Sequence, residues 1–133
     1  MFSIGIPTYN NLDYLKLCIS SIKKNSSFNH EILIHVNDGI DGTLDFVKEN
    51  NFKFTYSKKN IGLCSSINKI FKLATKKYLL YSHDDMYFLP EWDQFLKNEL
   101  DTMSNNKFEE KIVRSSTENV FNTFILCSET NSR

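Results

Sequence analysis

Apolar positions along this chain fall into two rhythms that take turns. Residues 2–7 form a short apolar stretch with Ile4 and Ile6, closed by Pro7, and predict a strand that runs into a loop. From Leu12 the apolar residues Leu12, Leu15, Cys18, Ile19 and Ile22 recur at helical spacing, with Lys16, Ser20, Lys23 and Lys24 opposite. Asn10 or Asn11 is placed to cap that helix. Between Glu31 and Val36, Ile32, Leu33, Ile34 and Val36 run almost unbroken, as in a strand covered on both faces. Asn37-Asp38-Gly39 predicts a turn. Thr43 is placed to cap a second helix to about Asn50, with Leu44 and Val47 inward. Residues 52–56 alternate and predict a less buried strand. After a loop at 58–62, a third helix carries Leu63, Ile67, Ile70, Phe71 and Ala74 on one face. Residues 78–82 predict a fourth strand. Pro90 is placed in the first turn of a fourth helix whose inner face is Trp92, Phe95, Leu96 and Leu100. Past Met103 the chain turns polar. Residues 121–127 predict one more strand, and 128–133 a frayed end.

Strands that alternate with helices imply parallel strands and right-handed crossovers. The fold class expected is α/β: an open parallel sheet, mixed at its edge, with helices on both faces. The 133 residues suit one domain. With 41% hydrophobic and 24% charged residues, the chain has the means to bury a core. Its net charge is zero, so no broad positive field points to nucleic acid. No apolar run approaches a membrane span, and the start lacks the basic region of a signal peptide. Three widely spaced cysteines, Cys18, Cys64 and Cys127, fit reduced thiols better than disulfides or a zinc site, and a cytoplasmic location is expected.

Ligands of open parallel sheets bind outside the carboxyl ends of the strands. Three polar clusters stand at such ends. Pro7-Thr8-Tyr9-Asn10 leads into a helix start, whose amides suit a phosphate or base edge; Tyr9 can stack on a base, or be a plain surface tyrosine. Asp38 in Asn37-Asp38-Gly39 can accept from a base N–H or ribose hydroxyl, or simply make an Asp-Gly turn. The chain has neither GxGxxG after its first strand nor a P-loop. His83-Asp84-Asp85 ends the fourth strand. Its adjacent carboxylates repel, which a divalent cation would relieve, while helix-capping acids before Pro90 are the plain alternative. His83 reads as an ordinary hydrogen-bonded residue, and Lys58 and Lys59 as solvated.

In order and spacing the clusters strongly resemble the nucleotide-sugar-binding half of family 2 glycosyltransferases with the Rossmann-like GT-A fold. The resemblance runs from about Phe2 to Trp92. It rests on Ile6-Pro7-Thr8-Tyr9-Asn10, Val36-Asn37-Asp38-Gly39 with Asp41-Gly42-Thr43, Lys59-Asn60-Ile61-Gly62-Leu63 with Asn68-Lys69, and His83-Asp84-Asp85-Met86 with Pro90. It implies a donor-binding segment at Pro7, Thr8, Tyr9 and Asn10, with Tyr9 stacked on uracil or another base. It implies Asp38 at the base edge, Gly62 at the close approach to the nucleotide, and Asp84 toward the ribose or sugar. Asp85 would ligate Mn2+ or Mg2+ on the donor diphosphate. His83 stands where many members carry Asp.

The activity so implied is metal-dependent, inverting transfer from a nucleotide diphosphate sugar, most simply a UDP-sugar. The acceptor (a glycan, a lipid-linked sugar or a protein) is not specified. A truncated module that binds donor without transferring sugar is the alternative. Residues 1–103 would be the donor-binding core and 104–133 a short remnant of the acceptor region. The late carboxylates Glu109, Glu110, Glu118 and Glu129 include no identifiable base. An exposed sheet edge or apolar face offers a route to a homo-oligomer.

Overall fold

The computed structural model describes residues 1–104, 112–114 and 124–126. Its strands are β1 (Phe2–Tyr9), β2 (Glu31–Asn37), β3 (Lys53–Ser57), β4 (Tyr78–Tyr81), β5 (Ile112–Arg114) and β6 (Phe124–Leu126). Its helices are α1 (Leu12–Asn25), α2 (Thr43–Glu49), α3 (Leu63–Phe71) and α4 (Trp92–Ser104). The strands form one sheet in the order β3-β2-β1-β4-β6-β5. β1 pairs in parallel with β2 and β4, and β2 with β3. β6 runs antiparallel to β4, and β5 to β6. The expected parallel sheet with a mixed edge is therefore present. β6 takes up part of the stretch expected as the last strand, while β5 has no counterpart in the sequence reading. Phe121, Cys127, Glu109, Glu110, Glu118, Glu129 and the segment 128–133 lie outside the described residues.

Strand periodicity sorts the core. Phe2, Ile4 and Ile6 of β1 and Ile34 and Val36 of β2 point to one face, where Leu15, Cys18, Ile19 and Ile22 of α1, Val47 of α2 and Leu96 and Leu100 of α4 cover them. Gly5 and His35 occupy the other face, where a side chain at position 5 would lie 2.8 Å from Phe71 of α3. Glycine there lets α3 pack directly on β1. A Gly5→Val substitution is expected to overpack this contact and destabilise the fold by about 1–3 kcal/mol, read as a lower denaturation midpoint.

Pro7 was expected to end the first strand, yet β1 continues to Tyr9. The ladder explains why. Gly5 accepts from Ser82 N at 3.0 Å, so Gly5, and Pro7 two residues on, direct their polar atoms toward β4. β4 has ended by that level, so the N–H that proline lacks has no strand to serve.

Some expected details differ. Phe95 is 67% exposed, because the inward stripe of α4 is Asp93, Leu96 and Leu100, and Phe95 sits two residues off its start. Leu63 is 45% exposed and borders the cleft described below. Pro90 precedes α4 rather than starting it. Neither Asn11 nor Gly42, the residues before α1 and α2, makes a side-chain cap. Asp41 serves both helices: its Oδ2 accepts from Leu12 N at 2.9 Å and its Oδ1 from Thr43 N at 3.1 Å. Burial would raise its carboxyl, but these hydrogen bonds outweigh that and hold it low.

A buried polar knot ties α4 to the α1–β2 connection. Asp93 accepts from Ser27 N, Phe28 N and His30 Nε2, each within 3.0 Å. His30 Nδ1 accepts from Phe2 N at 3.2 Å, which fixes the neutral tautomer with the proton on Nε2. Phe2, Trp92 and His30 pack their rings together. Burial lowers His30 below the usual 6.5 despite Asp93, and burial likewise lowers His35, helped by Lys69. The unfolded chain therefore binds protons that the folded chain does not. The stabilisation is complete above about pH 6.5 and is lost as pH falls toward the folded values. Melting temperature is expected to drop between about pH 7.5 and 5.5, and His30→Gln to flatten that slope. A pH-independent melting temperature over this window would contradict it.

Candidate functional site

The strand order reverses at β1: β2 and β3 follow on one side and β4 returns on the other. A crevice opens at the carboxyl ends of strands wherever this happens. Here it is a cleft of about 350 Å³ lined by Pro7, Thr8, Tyr9, Asn10, Asn11, Asn37, Asn60, Gly62, Leu63, Ser66, His83 and Asp84. The lining comes from the ends of β1 and β2, the loop before α3 with its first turn, and the end of β4.

Unusual backbone concentrates around it. Asn10, Asp38 and Gly62 have φ of 47°, 63° and 79°. Asn10 leaves β1 in this left-handed conformation and bonds across the turn instead of capping α1. Its Nδ2 donates to Asp38 Oδ2 at 3.1 Å, and its Oδ1 accepts from Gly39 N at 2.9 Å and Ile40 N at 3.1 Å. The two turns are thereby locked to each other, which offsets the strain of their positive φ. Gly62 combines φ 79° with ψ 167°, a region essentially reserved for glycine. A Cβ there would meet no atom within 4 Å. The space in front of its backbone is open cleft.

The structure brings Pro7, Thr8, Tyr9, Asn10, Gly62 and Asp84 together on one lining. Thr8 Oγ1 donates to Asp84 Oδ2 at 2.7 Å, joining the ends of β1 and β4. Tyr9 is 52% exposed, its ring unhidden by the fold. Asp38 is not on the lining but is held next to it by Asn10. Asp85 is exposed, one residue beyond the lining. Sequence reasoning assigned no role to Asn37, Asn60, Leu63 or Ser66, all of which border the cleft. Asn37 had a signal of its own: a polar residue closing an apolar strand, where a buried amide needs several partners.

Negative charge gathers at the end of β4. Tyr81 is raised to about 12, first by burial and then by Asp84 and Asp85. Cys18 is likewise raised to about 12, by burial foremost and with both aspartates contributing. His83 stands with its ring against Tyr81, whose hydroxyl lies 3.0 Å from its ring nitrogens. Among the described residues no three His, Cys, Asp or Glu side chains form a ready-made metal cage. Magnesium and manganese do not need one, since one or two carboxylates with phosphate oxygens and water complete their shells. The adjacent carboxylates of Asp84 and Asp85 at an open cleft fit that donor set.

Solved structures share the fold. A crystal structure of TarS 1-349 from S. aureus superposes with a TM-score of 0.68 at 23% identity, covering 90% of this chain and 37% of that one. TarS 1-349 in complex with UDP-GlcNAc gives a TM-score of 0.66, also at 23% identity and 90% of this chain, with 36% of that chain covered. The mannosyltransferase PcManGT from Pyrobaculum calidifontis, in complex with GDP-Man and Mn2+, gives 0.65 at 17% identity, covering 86% of this chain and 35% of its own. This chain thus spans well under half the length of those proteins. No curated protein matches it. No described helix is long and apolar enough to cross a membrane. The model of the family Glycosyl transferase family 2 matches residues 3–106, which include every element that lines the cleft, and the chain belongs to that family.

Proposed function

We propose that this chain forms the donor-binding part of a metal-dependent, inverting glycosyltransferase that takes a nucleotide diphosphate sugar with uridine as its base. One observation carries the reading: an open cleft at the sheet's switch point, lined by the exposed ring of Tyr9 and the carboxylate of Asp84, with exposed Asp85 next in the chain. The solved neighbours with UDP-GlcNAc and with GDP-Man and Mn2+ support it.

In this reading Tyr9 stacks on the base, and Asp38, held by Asn10, accepts from the base edge. Pro7 and Asn10 shape that wall. Asp84, oriented by Thr8, faces the ribose. Gly62 leaves its side of the cleft open to the donor. Asp85 holds Mn2+ or Mg2+ jointly with the diphosphate, and such an ion, when bound, supplies Lewis-acid stabilisation for charge on the leaving diphosphate. Transfer with inversion also uses a carboxylate base beside the acceptor hydroxyl.

Calorimetry with uridine and adenosine nucleotides tests the base assignment. UDP is expected to bind better than ADP. Asp38→Ala is expected to weaken UDP by about 1–3 kcal/mol, the scale of a hydrogen bond to a charged group. Equal affinities for UDP and ADP would contradict it.

A further inference from the structure

Asn37 sits in one of the motif segments without an assigned role, and it is only 4% exposed. Its Nδ2 donates to Thr8 O at 3.3 Å and Ser66 Oγ at 3.2 Å. Its Oδ1 accepts from Ile61 N at 3.0 Å and Ser57 Oγ at 3.1 Å. Both donor hydrogens and both acceptor directions of the amide are in use. The partners come from four places: the end of β1, the end of β3, the loop before α3, and the first turn of α3.

Two of those partners, Thr8 and Ser66, line the cleft, and Ile61 adjoins it. Thr8 is the residue that holds Asp84, and its carbonyl leads directly into Tyr9. Ile61 is the residue before Gly62. Ser66 also donates to Gly62 O at 2.7 Å, so Asn37 reaches Gly62 from both sides. Behind Asn37 stands His35, fully buried, whose Nδ1 lies 2.6 Å from Thr55 Oγ1 and whose Nε2 lies 3.1 Å from Ser57 Oγ. A consistent proton arrangement has Thr55 donating to Nδ1 and Nε2 donating to Ser57, leaving the one Ser57 hydroxyl proton shared between Asn37 Oδ1 at 3.1 Å and Lys59 O at 2.8 Å. The backing of the site is thus a polar line, Thr55–His35–Ser57–Asn37, in which His35 and Asn37 are buried and Thr55 and Ser57 half-buried.

We propose that Asn37 is a positioning residue of the donor site, joining the wall that carries Thr8 and Tyr9 to the wall that carries Gly62 so that the cleft is set before the donor arrives. This rests on the donor reading above. Three of Asn37's partners, Thr8, Ile61 and Ser66, line the cleft or adjoin its lining. Pre-setting both walls lowers the ordering cost of binding, which is where such a residue acts.

Asn37→Asp separates the two halves of the amide. It keeps both acceptor contacts and removes the donors to Thr8 O and Ser66 Oγ, setting a carboxylate against the Thr8 carbonyl. UDP affinity at fixed manganese is expected to fall about 10-fold or more at pH 7.5, measured well below the melting temperature. As pH is lowered the new carboxyl gains a proton and recovers one donor, so affinity is expected to return toward wild type. Asn37→Ala has no such recovery. The charged and titratable groups nearby are His35 on β2, Asp38 after it, Lys59 in the loop, Lys69 on α3 and Asp84 beyond Thr8. Wild type carries them all, and its own pH profile removes their effect from the comparison. Amide exchange provides a readout free of nucleotide. The Ile61 amide is expected to be protected in wild type and to exchange faster in Asn37→Ala by more than the global loss of stability explains. Unchanged UDP affinity in Asn37→Asp at pH 7.5, or affinity lost without recovery at low pH, overturns the proposal. If wild type binds no UDP, the donor reading fails; Ile61 exchange then decides alone, and equal exchange in wild type and Asn37→Ala overturns the positioning role.

Discussion

Asp93→Ala is expected to be among the most destabilising single changes in this chain, lowering unfolding free energy by about 3–5 kcal/mol. Asp93 is fully buried and accepts from the backbone of Ser27 and Phe28 and from the His30 ring. Alanine removes the acceptor of all these donors, and a donor left without a partner in a buried setting costs about 1–3 kcal/mol. Burial pushes the carboxyl up, but hydrogen bonds from Phe28, Ser27 and His30 outweigh it, so its pKa lies below the usual value. The charged form is therefore the one the fold holds. Asp93→Asn is expected to be milder, since its carbonyl oxygen still accepts from one of the backbone amides. Denaturant unfolding checks the pair. A loss under about 1 kcal/mol for Asp93→Ala would mean that solvent reaches these amides.

Asp85→Asn is expected to remove the dependence of UDP binding on manganese while leaving the fold intact. Asp85 is exposed, so its loss opens no cavity and breaks no described hydrogen bond. In wild type, metal and nucleotide should each tighten the other by the same factor, because coupling between two binding events is reciprocal. Phosphate oxygens complete the shell that one carboxylate leaves open. Asp84→Asn is expected to weaken nucleotide binding with a smaller effect on the metal, since Asp84 is held by Thr8. Titrations of UDP in manganese and in chelator, on wild type and both variants, check this. Full manganese dependence in Asp85→Asn would refute the assignment.

The sheet was legible because its strands are apolar and its helices periodic. Ile4, Ile6, Ile34 and Val36 mark buried strands, and Leu15, Cys18, Ile19 and Ile22 mark one helix face. Element ends were less legible. Pro7 looks like a terminator until the neighbouring strand is known to stop short of it, and that fact is tertiary. Capping misled for a similar reason. Asn10, Asn11 and Thr43 are good local candidates, but Asp41 reaches both helices through space. Phe95 was placed inward on hydrophobicity, while Asp93, an acid, turned out to lead the buried stripe. No local pattern announces that a buried acid will find partners in a loop far back along the chain.

The cleft was legible in outline. Thr8, Tyr9, Gly62 and Asp84 meet on one lining, while Asp38 and Asp85 lie just outside it. Its framework was not. Asn37, His35, Ser57 and Ser66 are ordinary polar residues one by one, and only the register of β2 against β1 and β3 brings them into line.

The account's central claim is that this cleft receives a nucleotide sugar donor through its nucleotide. The most direct measurement is amide mapping of the isotope-labelled protein titrated with UDP and Mg2+. Shifts are predicted at Thr8, Tyr9, Asn10, Asp38, Gly62, Asp84 and Asp85, saturating together. No shifts, or shifts centred instead on the groove lined by Lys16, Lys23, Phe46 and Phe52, would contradict it.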